Sequence, residues 1–436
     1  MRKFAVVVND CAAPPITGIL PIRSRNTGEQ GERERNFNLN FDELVAGLPD
    51  RLSDLHMDWM EILGFLFATD LVCERGEGDV EWAREIELWL PVRDPEFWEL
   101  RRPLIERIWT DLTNDGLRMH FEQENEPDPP PRQGREPHPT HDCVALVSGG
   151  QDSYVGALDL IKDGREPLLV SHSASGAVNS AQNAVEANLQ EVEPSIMRLK
   201  LSAGKARGAV AAGEEPSQRS RTLLFVGAAA LVASLGGSRE VFLNENGIMA
   251  IHVPLTAARM GSLSTHTASP PILDRMATLA NDVFDIPISV ENRLVHLTKP
   301  EVVGRAVDLG FGHHMINTVS CWQIGRTSRH CGICSPCIMR RISNEYNNVA
   351  DISYDADIFD DSAAVDEPKA RDNLTHFISL VDDLRELPDV ELEFEYPELL
   401  RAAPAMTLTE AIALHRRWAD QAASVLFAHP VPAGLR

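Results

Sequence analysis

Residues 147–153 read Val-Ser-Gly-Gly-Gln-Asp-Ser. Adjacent glycines let backbone N–H groups come close to an anion, because no Cβ stands in the way. Ser148 and Ser153 add hydroxyl donors. A helix starting here adds unpaired N–H groups and the partial positive charge of its N-terminus. Ser148, Gly149, Gly150, Gln151, Asp152 and Ser153 are therefore a candidate phosphate cradle. The turn has no lysine and no G-x-x-x-x-G-K-[ST] pattern, so it is not a Walker loop. The alternative is a glycine turn that binds nothing.

A second cluster follows downstream. Cys321, Cys331, Cys334 and Cys337 form a C-x9-C-x2-C-x2-C array. Four thiolates satisfy one tetrahedral Zn2+, and a C-x-x-C turn offers two ligands to one ion. An iron–sulfur cluster is the main competitor, since C-x2-C-x2-C also occurs in ferredoxins. A redox pair at Cys331 and Cys334 would leave Cys321 and Cys337 without a role.

The elements around the first motif alternate. Strand patterns at 143–147, 167–173, 196–202 and 240–245 are separated by helical ones at 154–164, 177–191 and 221–237. Such alternation predicts an α/β fold with an open, mostly parallel sheet. The glycine loop then falls between the first strand and first helix, at the carboxyl edge where such sheets bind ligands. Upstream, FAVVV (4–8) and 81–92 read as strands. Residues 48–72, and the stretch opened by Asp94-Pro95, read as helices. These give a small N-terminal α+β domain, 1–121. In it, Trp82, Trp89 and Trp98 read as core aromatics before a binding surface. The proline-rich stretch 122–141 reads as a semi-rigid linker. The alternating unit spans 142–350, and 351–436 is an acidic, mainly helical region with a helix at 408–427.

Composition narrows the partners. The chain has 436 residues, 43% hydrophobic and 24% charged, with a net charge of -24. That balance disfavours duplex nucleic acid and anionic membrane. Over residues 351–400, sixteen acids face only Lys369, Arg371 and Arg385. The apolar run at the N-terminus is too short for a secretory signal, and 223–237 is too short for a bilayer span. The expectation is a cytoplasmic protein, which suits clustered cysteines bound to metal.

The Ser-Gly-Gly-x-Asp-Ser loop after a strand resembles the PP-loop of ATP pyrophosphatases. With the cysteine array it resembles one family of that class, 7-cyano-7-deazaguanine synthase of the queuosine pathway. Ser320-Cys321-Trp322, the run Cys331-Gly332-Ile333-Cys334-Ser335-Pro336-Cys337 and Arg340 carry the likeness. So do Leu297-Thr298-Lys299-Pro300-Glu301-Val302 and, more faintly, Arg221-Thr222. It covers about 142–345. The resemblance implies that the loop grips the pyrophosphate of ATP, with Asp152 near the phosphates and a Mg2+. It also implies a four-cysteine zinc site, and a deazapurine carboxylate such as 7-carboxy-7-deazaguanine adenylated before an amine attacks. Lys299 and Arg221 are candidates for contacts to phosphate or acyl oxygen, against the bland reading of surface ion pairs.

The acceptor side departs from the family pattern. Ser171–Gly176 and Asn244-Glu245-Asn246-Gly247 stand where the family has other segments, as does 262–267. Glu245, Asn246 and His266 are candidates for reading a deazapurine edge. The added N- and C-terminal regions resemble longer relatives in bacterial anti-phage defence clusters. That resemblance implies a protein amine as a possible acceptor, or a defence partner, in place of ammonia. A tRNA sulfur-transfer enzyme and an inactive nucleotide-binding scaffold remain as alternatives. The acidic balance argues against the first, and the intact loop against the second.

Overall fold

The computed structural model describes every residue except 1, 13–17, 26–34, 77–81, 126, 133, 135–137, 139–140, 207–214, 216–218, 256–265, 360–366 and 430–436. The expected strand start at Glu81, and residues 262–265 of the acceptor segment, lie outside the described residues.

Two sheets organise the chain. The first has the order β2-β1-β4-β5, from β1 (Arg2–Val8), β2 (Ile19–Ile22), β4 (Arg84–Val92) and β5 (Gly116–Gln123). All its pairings are parallel. In detail this region is α/β rather than α+β, because helices α1 (Asp54–Val72) and α2 (Pro95–Thr113) serve as crossovers. Asp94 caps α2 through Phe97 N, and Pro95 opens it, as the Asp-Pro pair predicts. Trp89 and Trp98 are core residues, whereas Trp82 is half-buried between the guanidinium groups of Arg75 and Arg219.

The second sheet runs β10-β9-β6-β7-β8-β3. Its parallel strands are β6 (Cys143–Leu146), β7 (Pro167–Ser173), β8 (Arg198–Lys205), β9 (Glu240–Phe242) and β10 (Ser289–Glu291). Strand β3 (Phe37–Asn40) comes from the N-terminal region and pairs antiparallel with β8. From β6 the chain steps to β7 and β8, then returns to place β9 on the other flank of β6. The strand order reverses there, and such a reversal opens a crevice at the carboxyl ends.

Helices α3 (Gln151–Lys162), α4 (Gly176–Gln190) and α5 (Arg221–Gly236) connect these strands. Helix α5 is apolar all round because it is covered on both sides. The sheet lies on one side and α1 on the other, where Trp59 Nε1 donates to Gly227 O at 2.8 Å. A Cβ on Gly227 would stand 2.0 Å from Leu63 Cδ1, so any larger residue would require Leu63 to shift. One apolar core therefore runs from the first sheet through α1 and α5 into the second. The proline-rich stretch begins inside β5 and later hydrogen-bonds Ala46 and Gly47 through the N–H groups of Gly134 and His138.

Short helix α6 (Gly247–Ile251) leads away from β9. Helices α7 (Pro270–Phe284), α8 (Lys299–Asp308) and α9 (Ser335–Tyr346) follow. Finally α10 (Pro368–Glu386) and α11 (Leu408–Leu426) build a separate apolar cluster with α6 and α9. Among the described residues no helix is long and apolar enough to cross a membrane.

Candidate active site and metal centre

The glycine loop lies between β6 and α3, as its pattern predicts. Gly149 has φ +87, and a Cβ there would sit 3.1 Å from the backbone nitrogen of Gln182. Both conditions call for glycine. Ser148 N donates to Ser153 Oγ at 3.2 Å, Gly150 N to Ser148 Oγ at 3.2 Å, and Ser153 Oγ to Gly150 O at 3.1 Å. The two hydroxyls are thereby held 3.1 Å apart at the mouth of α3. No side chain caps that helix, whose N-cap residue is Gly150. Its first N–H groups are thus without a side-chain cap, as an anion site requires. Gln151 is buried and donates through Nε2 to Asn344 Oδ1 at 2.8 Å, so it braces the loop against α9.

Asp152 is the chemically loaded member. It is 7% exposed, and its Oδ2 accepts from Lys299 Nζ at 2.7 Å and Asn246 Nδ2 at 3.2 Å. Its Oδ1 accepts no hydrogen bond. Burial pushes the carboxyl up, but Lys299, with the neighbouring Glu245 and Asn246 side chains, outweighs burial and holds it below its ordinary range.

Three turns bring these groups together. Asn246 caps α6, accepting from Met249 N at 3.2 Å. The preceding turn is fastened by Asn292, whose Oδ1 accepts from Glu245 N at 3.1 Å and whose Nδ2 donates to Glu245 O at 2.8 Å. Thr298 and Glu301 form a reciprocal capping box, and Lys299 is the first residue of the helix they start. Sequence reasoning missed Asn292 and took 297–302 only as a family likeness. The Thr-x-x-Glu spacing was the available signal for a helix start.

Arg221 opens α5 on the same carboxyl edge, displaced toward β7 and β8. His172 is held below its ordinary value, first by burial and also by the Arg221 charge, against a hydrogen bond to Ala203 O. His266 lies farther along the chain, where Arg401 Nη1 donates to its Nε2 at 3.1 Å. Asn246 therefore meets the cradle directly, whereas His266 is engaged by the C-terminal region.

The cysteines converge as their spacing predicts. The Sγ atoms of Cys321, Cys331, Cys334 and Cys337 all lie within 4.8 Å of one another, and two of the pairs are 4.0 Å apart. Zinc–sulfur bonds of about 2.3 Å give tetrahedral edges of roughly 3.8 Å, so the set fits one zinc ion. Gly332 has φ +80, and its Cβ would fall 1.7 Å from Ala356 O, so the knuckle admits only glycine. Arg340 is fully buried behind it and donates to Asp351 Oδ1, Thr318 Oγ1 and the carbonyls of Thr318 and Met315. The knuckle is joined to the cradle, because Val319 N donates to Gly149 O at 2.9 Å.

Known proteins resemble parts of this chain. Residues 268–348 match the family model described as Queuosine biosynthesis protein QueC. The 7-cyano-7-deazaguanine synthase of Rhodopirellula baltica is 27% identical over 140 residues, covering 30% of this chain and 50% of that protein. The one from Thiobacillus denitrificans is 27% identical over 219 residues, 46% of this chain and 91% of that protein. The one from Saccharolobus solfataricus is 25% identical over 236 residues, covering 49% of this chain and 47% of that protein. This chain thus spans about half of the first and third relatives and nearly all of the second. It is an α/β protein of PP-loop type that resembles 7-cyano-7-deazaguanine synthase.

Proposed function

We propose that the protein uses ATP to activate a deazapurine carboxylate as its adenylate and passes the acyl group to an amine. The supporting observation is the uncapped helix mouth with paired hydroxyls, set beside the Lys299–Asp152 pair at the point of strand reversal. A carboxylate oxygen attacks the α-phosphorus of ATP, and the bond to pyrophosphate breaks. The loop N–H groups and hydroxyls hold the departing pyrophosphate, whose charge they neutralise in a site prepared beforehand. Asp152, whose Oδ1 accepts no hydrogen bond, would be the residue to hold a Mg2+ that neutralises phosphate charge, while Lys299 offsets the carboxylate charge. The amine then attacks the acyl carbon, AMP leaves and an amide results. For a nitrile, a second ATP activates the amide oxygen, which departs on AMP.

The acceptor is the finer part of the proposal. Ammonia is the simplest amine and would yield a nitrile, in keeping with the names of the relatives. A protein amine is favoured by the altered acceptor side, where Arg401 of the C-terminal region reaches His266 beyond α6. The test is a mass-spectrometric assay of the full chain with ATP, Mg2+, 7-carboxy-7-deazaguanine and ammonium. Nitrile formation assigns ammonia. AMP without nitrile, with a deazaguanine-sized mass added to a co-purifying protein, assigns the protein amine. No acid-dependent AMP contradicts the proposal.

A further inference from the structure

The C-terminal helix α11 meets the site at the turns that carry its polar groups. Thr298 is fully buried, and its hydroxyl donates to Gln421 Oε1 at 2.6 Å while accepting from Glu301 N at 3.2 Å. A hydroxyl has one proton, so sending it to Gln421 turns a lone pair toward the helix N–H. Glu301 closes the box by accepting from Thr298 N at 2.9 Å. Arg417 grips Glu301 Oε1 through Nε at 3.1 Å and His296 O through Nη2 at 3.0 Å. Lys299 leaves this turn to reach Asp152. A Cβ on Gly247, the residue after Asn246, would lie 2.4 Å from Leu414 Cδ2, so α11 also packs closely against the second turn. Trp418 anchors the helix to α9 by donating to Met339 Sδ at 3.1 Å.

We infer that Gln421 and Arg417 are positioning residues that set Lys299 against Asp152, making the C-terminal region part of the activation site. The inference rests on the functional reading of that pair. Gln421 carries the larger share, because its partner is fully buried, whereas the Arg417–Glu301 pair is partly exposed and contributes little alone. Neither residue touches the pair itself, so their effect passes through the capping box.

The test is an acylation footprint of the lysines in the intact chain, read by mass spectrometry, with Lys162 and Lys369 as internal references. Lys299 is 7% exposed and paired, so it labels slowly. In Gln421→Ala its labelling is expected to rise roughly 5–10-fold, the factor for one lost hydrogen bond, and further in Gln421→Ala/Arg417→Ala. Arg417→Lys in the Gln421→Ala background restores part of the protection. Arg385→Ala, which removes the exposed Arg385–Asp420 pair and no bond to the capping box, leaves Lys299 unchanged. Unchanged labelling in the cooperatively folded double variant overturns the inference. So does an equal rise at every lysine, since that marks general loosening. Where AMP is formed, the double variant is expected to lower kcat about 10-fold with little change in KM for ATP. The footprint needs no substrate. A wild type that makes no AMP while the footprint shifts would refute the activity and leave the positioning role standing.

Discussion

Two buried clusters in this protein set carboxylates against cations, and they end differently. Behind the first sheet, Asp70, Arg84 and Asp115 have no solvent exposure. Asp115 accepts from Arg75 Nη1 and Arg84 N with Oδ1, and from Arg75 Nη2, Arg84 Nε and Arg84 Nη2 with Oδ2. Asp70 takes Arg84 on one oxygen and the N–H and hydroxyl of Ser220 on the other. Every carboxylate oxygen is used. At the cradle, Asp152 and Lys299 are nearly as buried, yet Asp152 Oδ1 accepts nothing. Buried carboxylates are tolerated when their oxygens are bonded, and a buried oxygen left over marks a candidate ligand site. The first cluster locks the N-terminal region to the residue that precedes Arg221. The second leaves one carboxylate oxygen without a hydrogen bond, as the proposed activation chemistry requires.

The knuckle offers a third way of satisfying buried charge, since its four thiolates fit a metal where the first cluster uses arginines, and its disruption should have the largest effect. One zinc per chain is expected by elemental analysis. Stripping it should cost about 10 kcal/mol or more and release the segment around Cys321–Cys337 to protease. A brown, iron-containing protein would contradict this. Next, Asp115→Asn should destabilise by roughly 3–5 kcal/mol in urea unfolding, because it strands two buried arginines. Asp152→Asn leaves one buried lysine without its counter-charge, so it should cost less stability than Asp115→Asn while lowering AMP formation by about 10²–10³; an equal loss of stability in both variants with AMP formation intact would erase the contrast.

A smaller effect concerns His415, fully buried on α11 with only Nδ1 bonded, to Ala411 O at 2.7 Å. Burial lowers its pKa to about 4, against that hydrogen bond. The folded value lies below an unfolded value of about 6.5. Its stability contribution is therefore complete above that pH and is lost as pH falls toward 4. His415→Leu should remove on the order of 3 kcal/mol of this acid-side loss, seen as a flatter stability profile between those limits.

How much of this was legible in the sequence follows from the range of each contact. The cradle and the knuckle are local patterns, glycines after a strand and cysteines at ligand spacing, and both lie where their spacing places them. Helix α2 was legible through Asp94-Pro95, and α5 through its apolar run. Strands β3 and β10 were not, because FNLN and SVE are too short to show a period. The Asn246–Asp152, Gln151–Asn344 and Thr298–Gln421 bonds join residues far apart in sequence, which no local pattern can reveal. The N-terminal region reads as separate because the proline-rich stretch follows it. Its strand β3 and helix α1 nonetheless share the second sheet and its core.

The central claim is that the cradle serves adenylation of a carboxylate. Exchange of labelled pyrophosphate into ATP tests it most directly, because it reports the first step without an acceptor. With 7-carboxy-7-deazaguanine and Mg2+, exchange is expected to depend on the acid and to vanish in Ser153→Ala. Exchange that ignores the acid, or none in the wild type, would contradict the account.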